Sequence, residues 1–215
     1  MTSPFFRRFF PFSRTLVKIL GFVFAPRLQV TGRRHVPYRG SVIIAPNHAS
    51  DADPPFVALA VTRSLWFMAK RELFGIPILG PMMSFYQAFP IDPASPDREG
   101  LRHAEELLAN GNALVLFPEG KISESGEMGE VLPGAVMLAL RADVPVVPCG
   151  IWNTQGVVPY GSTIPRPTLR RVRVHFGPPL HFSDLKSLPR RQARDEAGQR
   201  LEDAIRHCRE QAKQT

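Results

Sequence analysis

Apolar positions along the chain fall into two alternating patterns. Runs rich in Val, Ile, Phe and Leu at 41–45, 65–69, 87–91, 113–117, 144–151 and 170–176 read as short strands. Between and after them, helical spacing predicts helices at 53–62, 78–84, 97–110, 134–141 and 189–213. The clearest is 97–110, where Leu101, Ala104, Leu107 and Leu108 share one face and Gly111 supplies the stop. In the tail, Leu201, Ala204, Ile205 and Cys208 form an apolar stripe on an otherwise charged helix. Strands alternating with helices indicate an α/β fold with a central mostly parallel or mixed sheet flanked by helices. No internal repeat interrupts this order. The Gly- and Pro-rich stretch 156–167 is expected to be the most mobile loop, either bordering a substrate tunnel or serving as a plain connection.

Ahead of the first strand the pattern changes. Phe5, Phe6, Phe9, Phe10 and Phe12 surround Arg7 and Arg8, and an apolar stretch at 16–25 follows, broken by Lys18. That stretch is too short for a bilayer span, which needs about 20 apolar residues. Rings beside cations suit an amphipathic segment lying in the lipid head-group layer. The division expected is a membrane-interfacial segment at 1–29 and one folded domain at 30–215. A signal peptide, for which no small-x-small cleavage site follows, and an ordinary core helix are the competing readings.

Composition changes the picture in two respects. A chain of 215 residues with 44% hydrophobic content forms one domain with a sizeable core, and a charge of +8 favours anionic partners such as bilayer surfaces and phosphates. Nucleic acid is not expected, because helix-turn-helix, zinc-finger and aromatic RNA-binding patterns are missing. Two isolated cysteines, Cys149 and Cys208, make neither a disulfide framework nor a metal site and fit a reducing cytoplasm. His35, His103, His175, His181 and His207 are scattered without partner spacing, so no metal is implied.

Candidate chemistry lies at two strand ends. After the strand at 41–45 the chain reads Pro46-Asn47-His48-Ala49-Ser50-Asp51-Ala52-Asp53-Pro54-Pro55. The two prolines suit the first turn of a helix, so His48 and Asp53 straddle a strand-to-helix turn. A neutral imidazole there can take a proton from a hydroxyl while the carboxylate holds its tautomer. The plainer reading makes Asp53 a helix cap. Asp51 is an alternative carboxylate. Asn47 and Ser50 join the binding candidates as residues able to brace the turn. The strand at 113–117 ends in Phe117-Pro118-Glu119-Gly120-Lys121, exposing an acid and a cation beside a glycine that lets a ligand approach the backbone.

Together these blocks resemble the glycerolipid acyltransferase family typified by 1-acyl-glycerol-3-phosphate acyltransferases, with its Asn-His-x-Ser-x-x-Asp-Pro-Pro and Phe-Pro-Glu-Gly signatures. Ala69-Lys70-Arg71-Glu72-Leu73, Phe89-Pro90-Ile91-Asp92 and Val144-Pro145-Val146-Val147-Pro148 are similar to three further family blocks, in the family's order. The resemblance implies a fatty acyl transfer from acyl-CoA or acyl carrier protein to the hydroxyl of a lyso-glycerophospholipid, with phosphatidic acid as the product expected from lysophosphatidic acid. His48 is then the base and Asp53 its orienting acid. Glu119 and Gly120 position the acceptor, and Lys70 and Lys121 are candidates for its phosphate, with Asp92 either binding or structural. No cofactor is needed, because the acyl group arrives as a thioester. The expected location is the cytoplasmic face of the inner membrane, peripheral or monotopic. Two customary family arginines are absent, since Pro93 and Ile122 stand in their places. That departure leaves open a different acceptor, such as a lyso-ornithine lipid. From another class, a non-catalytic basic membrane-binding protein is the alternative.

Overall fold

The computed structural model describes residues 23–77, 79–92, 97–162 and 164–214. Residues 1–22 of the expected interfacial segment lie outside the described residues, and so does Pro93. Seven strands form one sheet in the order β1-β7-β6-β2-β5-β3-β4. They are β1 (Gln29–Thr31), β2 (Val42–Pro46), β3 (Trp66–Lys70), β4 (Ala88–Ile91), β5 (Ala113–Val115), β6 (Val146–Trp152) and β7 (Arg173–Phe176). Every neighbouring pair is parallel except β6 with β7. The helices are α1 (Asp53–Ala60), α2 (Leu79–Phe85), α3 (Arg98–Ala109), α4 (Pro133–Ala142) and α5 (Arg190–Gln214). The mixed sheet flanked by helices is the architecture that the alternating pattern predicts. β1 is an addition: three residues, polar-apolar-polar, pairing at the sheet edge with β7.

Both faces of the sheet are covered, which is why β2 reads as an unbroken apolar run rather than as alternation. Ile43, Leu114 and Val146 pack on one face with α3, α4 and α5. Val42, Ile44, Val115, Val147 and Ile151 pack on the other with α1 and Ala25. The longest helix, α5, approaches β6 backbone to backbone at Gly150, where an added Cβ would stand 2.1 Å from the Cys208 carbonyl. A side chain there would force the helix off the sheet, so Gly150 sets the depth of its packing.

This topology positions the site. β2 lies at the centre with β5 and β6 beside it, both parallel to it, so their carboxyl ends share one edge. In open α/β sheets ligands bind outside the carboxyl ends of central strands where connections diverge to opposite sides. The segments leaving that edge are the turn carrying His48 and the loop carrying Glu119.

Candidate active site

The chain leaves β2 at Pro46 and enters α1 at Asp53, with Pro54 and Pro55 in the helix's first turn as expected. Between them the backbone folds back on the Asp53 carboxylate. Oδ2 accepts from the Ala49 N–H at 2.7 Å and the Ser50 N–H at 2.8 Å, and meets His48 Nδ1 at 2.9 Å. Oδ1 accepts from the Thr154 hydroxyl at 2.6 Å. Asp53 is fully buried, so each of these donors compensates for lost water. An acceptor-only carboxylate requires the hydrogen of His48 on Nδ1. That tautomer leaves Nε2 with its lone pair free to accept a proton. The ring stacks on Phe117, centroids 4.1 Å apart, and its side chain is 15% exposed, enough for a substrate hydroxyl to reach it. Asp51, the alternative carboxylate, is exposed on the cleft and holds no such bond to His48.

Asn47 and Ser50 do not line the cleft. Asn47 is buried and exchanges two hydrogen bonds with the Ile151 backbone, donating at 3.2 Å and accepting at 2.7 Å, which ties the turn to β6. Ser50 Oγ donates to the Val158 carbonyl at 2.7 Å. Their polar atoms are engaged by the backbone, so they hold the turn, and the substrate-binding expectation for both gives way to bracing.

The loop after β5 meets this turn through Glu119. One carboxylate oxygen accepts from the His48 N–H at 2.7 Å and the other from the Gly129 N–H at 2.7 Å, while the Ser123 N–H donates to the His48 carbonyl at 2.9 Å. Burial raises the Glu119 carboxyl above the usual carboxylate range, opposed by these two N–H donors. Glu119 therefore clamps two loops together while bordering the cleft. Gly120 closes the turn at φ 65°, a conformation in which a Cβ is strained, and its N–H donates to the Phe117 carbonyl. Lys70 and Lys121 are exposed along the cleft, and Asp92 and Ile122 line it half-buried.

Two contributors are invisible in local sequence. Thr154 lies 101 residues from Asp53 and is buried. Arg209, at 5% exposure, forms a bidentate pair with Glu127 at 2.7 and 2.9 Å and donates to the Gly126 carbonyl, anchoring the loop that carries Gly129 to α5. The signal for Arg209 was its place in the apolar stripe of α5, four residues after Ile205 and three before Ala212.

His48 opens on a cleft of about 2120 Å³, walled chiefly by apolar side chains such as Leu59, Phe67, Met83, Met128 and Leu132. A cleft of this kind suits a long hydrocarbon chain. Among the described residues no group of three or more His, Cys, Asp or Glu could hold a metal ion.

An open α/β sheet with a strand-end His–Asp pair facing an apolar cleft defines the class as an α/β protein with a candidate general base at the carboxyl edge of its sheet. The chain belongs to the Acyltransferase family, whose model matches residues 27–152. It is 29% identical over 163 residues to a chloroplastic 1-acyl-sn-glycerol-3-phosphate acyltransferase of Arabidopsis thaliana, covering 74% of this chain and 46% of that one. It is 28% identical over 189 residues to the 1-acyl-sn-glycerol-3-phosphate acyltransferase of Streptococcus pneumoniae, covering 85% of this chain and 66% of that one. The chain thus spans between about half and two thirds of these relatives' lengths. The crystal structure of the 1-acyl-sn-glycerophosphate (LPA) acyltransferase PlsC from Thermotoga maritima is similar, with a TM-score of 0.73 and 25% identity over 94% of this chain and 78% of that one.

Proposed function

We propose that the chain is an O-acyltransferase that moves a fatty acyl group from a thioester to the hydroxyl of lysophosphatidic acid, giving phosphatidic acid. The observation that carries this reading is the 2.9 Å bond from His48 Nδ1 to Asp53 Oδ2 on the wall of an apolar cleft. His48 Nε2 takes the proton of the acceptor hydroxyl as its oxygen attacks the thioester carbonyl. The tetrahedral adduct collapses to the ester, the carbon–sulfur bond breaks, and the departing thiolate takes the proton back from the imidazolium. Asp53 stabilises that imidazolium and fixes the ring. No redox partner or external co-reactant is required, because the thioester carries the activation. The acyl donor is acyl-CoA or acyl carrier protein, and Lys70 and Lys121 supply point charges for the phosphate of the acceptor. Glu119 acts by holding the His48 backbone as well as by bordering the acceptor's place.

The names of the relatives support lysophosphatidic acid as acceptor. Ile122 on the cleft, where the family carries an arginine, favours a second reading in which the acceptor is another lyso-lipid. The working location is the cytoplasmic face of a membrane, peripheral or monotopic; no helix among the described residues is long and apolar enough to cross one.

The test offers purified protein oleoyl-CoA or oleoyl-acyl carrier protein in mixed micelles with a panel of lyso-lipids, lyso-ornithine lipid included. Preferential consumption of lysophosphatidic acid is the expected result. Consumption of another acceptor alone would support the second reading, and turnover of none would remove the enzyme reading in favour of a binding protein.

A further inference from the structure

The distribution of charge along the chain is uneven in a way that the fold concentrates. Residues 1–50 contain no Asp or Glu, and neither do residues 154–183. The fold lays the second stretch against the first. The Thr168 N–H donates to the Phe24 carbonyl at 2.8 Å, the Gln29 N–H donates to the Val172 carbonyl at 2.9 Å, and β1 pairs with β7. One strip of surface is thereby built from residues 23–27 and 164–171, both free of acids. Arg27, Arg166, Arg170 and Arg171 are exposed on it. Ile164 and Leu169, at 70% and 77% exposure, stand among these arginines, with Val23 at 52%.

An arrangement of exposed aliphatic side chains among arginines that have no acidic partner among the described residues matches a bilayer interface, where guanidinium groups meet lipid phosphates and the aliphatic groups enter the acyl boundary. It matches the chain's own N-terminal residues poorly, because residues 1–22 carry Arg7, Arg8, Arg14 and Lys18 and no acid. The strip also runs into the cleft, since Phe24, Tyr160 and Pro165 line it. On the opposite face of the sheet, α5 is studded with acid–base pairs such as Arg200 with Glu196 and Arg206 with Glu202, so that side lacks the one-sign field.

We propose that residues 164–171, with Val23 and Arg27, form a lipid-docking surface of the folded domain that seats the cleft mouth against an anionic bilayer. The proposal rests on the reading of the cleft as a lipid site. It specifies an orientation: the face carrying α1 and Ala25 turns toward lipid and α5 turns away.

The two native cysteines are 0% and 1% exposed, so a fluorophore can be placed singly in a Leu169→Cys variant of the full chain, and in an Arg191→Cys variant on α5 as the reference. Vesicles of three parts phosphatidylcholine to one part phosphatidylglycerol are expected to blue-shift the label at position 169, and lipid-borne nitroxide to quench it. The label at 191 stays in water, and high salt releases both proteins. Substituting Arg170→Gln and Arg171→Gln is expected to weaken vesicle binding by about fivefold for each arginine. A silent label at 169, equal responses at the two positions, or unchanged binding by the arginine variants overturns the proposal. The readout does not use turnover. Quenching in a protein without acyl transfer keeps the surface and removes the reaction, and an active protein whose label at 169 neither shifts nor is quenched does the reverse.

Discussion

Asp53 accepts four hydrogen bonds, more than any other side chain of the site, and its two oxygens are not equivalent. Oδ2 serves the turn that carries it and the His48 ring, whereas among the described residues Oδ1 has Thr154 as its only donor. Thr154→Val keeps the shape and removes that donor. A buried carboxylate oxygen left without its partner costs about 1–3 kcal/mol. It also concentrates negative charge beside His48, which favours the imidazolium. The expected outcome is a fall in kcat of roughly tenfold with KM little changed, and an acid limb of the pH–rate profile displaced to higher pH. Thr154→Ser should restore both. A lowered melting temperature with an unmoved pH profile would make Thr154 a packing residue only. The contrast explains what sequence could reveal here. His48 and Asp53 are five positions apart and their relation follows from the turn between them. Thr154 and the Arg209–Glu127 clamp reach their partners across 101 and 82 residues, and no local pattern records such a meeting.

Among the elements, α3 illustrates how local chemistry sets a boundary. Asp97 caps it, accepting from the Gly100 N–H at 2.8 Å, and accepts from the Asp92 N–H at 2.9 Å. These two backbone donors, with Arg71 nearby, hold its carboxyl below the ordinary carboxylate value. A carboxyl whose folded value is depressed stabilises the fold above its unfolded value and loses that contribution as pH falls through the lowered one. Asp97→Ala is therefore expected to cost about 1 kcal/mol at neutral pH in urea unfolding. The gap between the two proteins should narrow as the pH falls below the ordinary carboxylate range. A gap that stays constant into acid would show that the cap works without its charge. Eleven of the twelve strands and helices were legible from the apolar pattern, most of them because the sheet's two covered faces bury an apolar run or stripe, although α2 buries only Gly80 and β3 is half-buried along most of its length. β1 was not, since three residues at an edge carry too little pattern. β5 ends at Val115, two residues before its apolar run does, because Phe117 leaves the ladder to stack on His48.

For the molecule as a whole, burial and charge are divided between edges and faces. Cys208 lies on the buried face of α5, where burial pushes its thiol up to about 12, and burial also raises the Cys149 thiol well above its ordinary value. Both thiols should resist alkylation in the native protein at pH 8 and react once it is unfolded; modification of either in the folded state would contradict the packing of α5 on β6. The carboxyl edge of the sheet gathers the dyad, the Glu119 clamp and the apolar cleft, so an amphiphile's hydroxyl and its chain can be held together. The measurement that tests this most directly is phosphatidic acid formation from oleoyl-CoA and lysophosphatidic acid by the wild-type protein and His48→Ala in parallel. Loss of a general base should slow turnover by roughly 10²–10⁴-fold while the variant retains its fold. Turnover in a folded His48→Ala protein equal to that of the wild type would contradict the account.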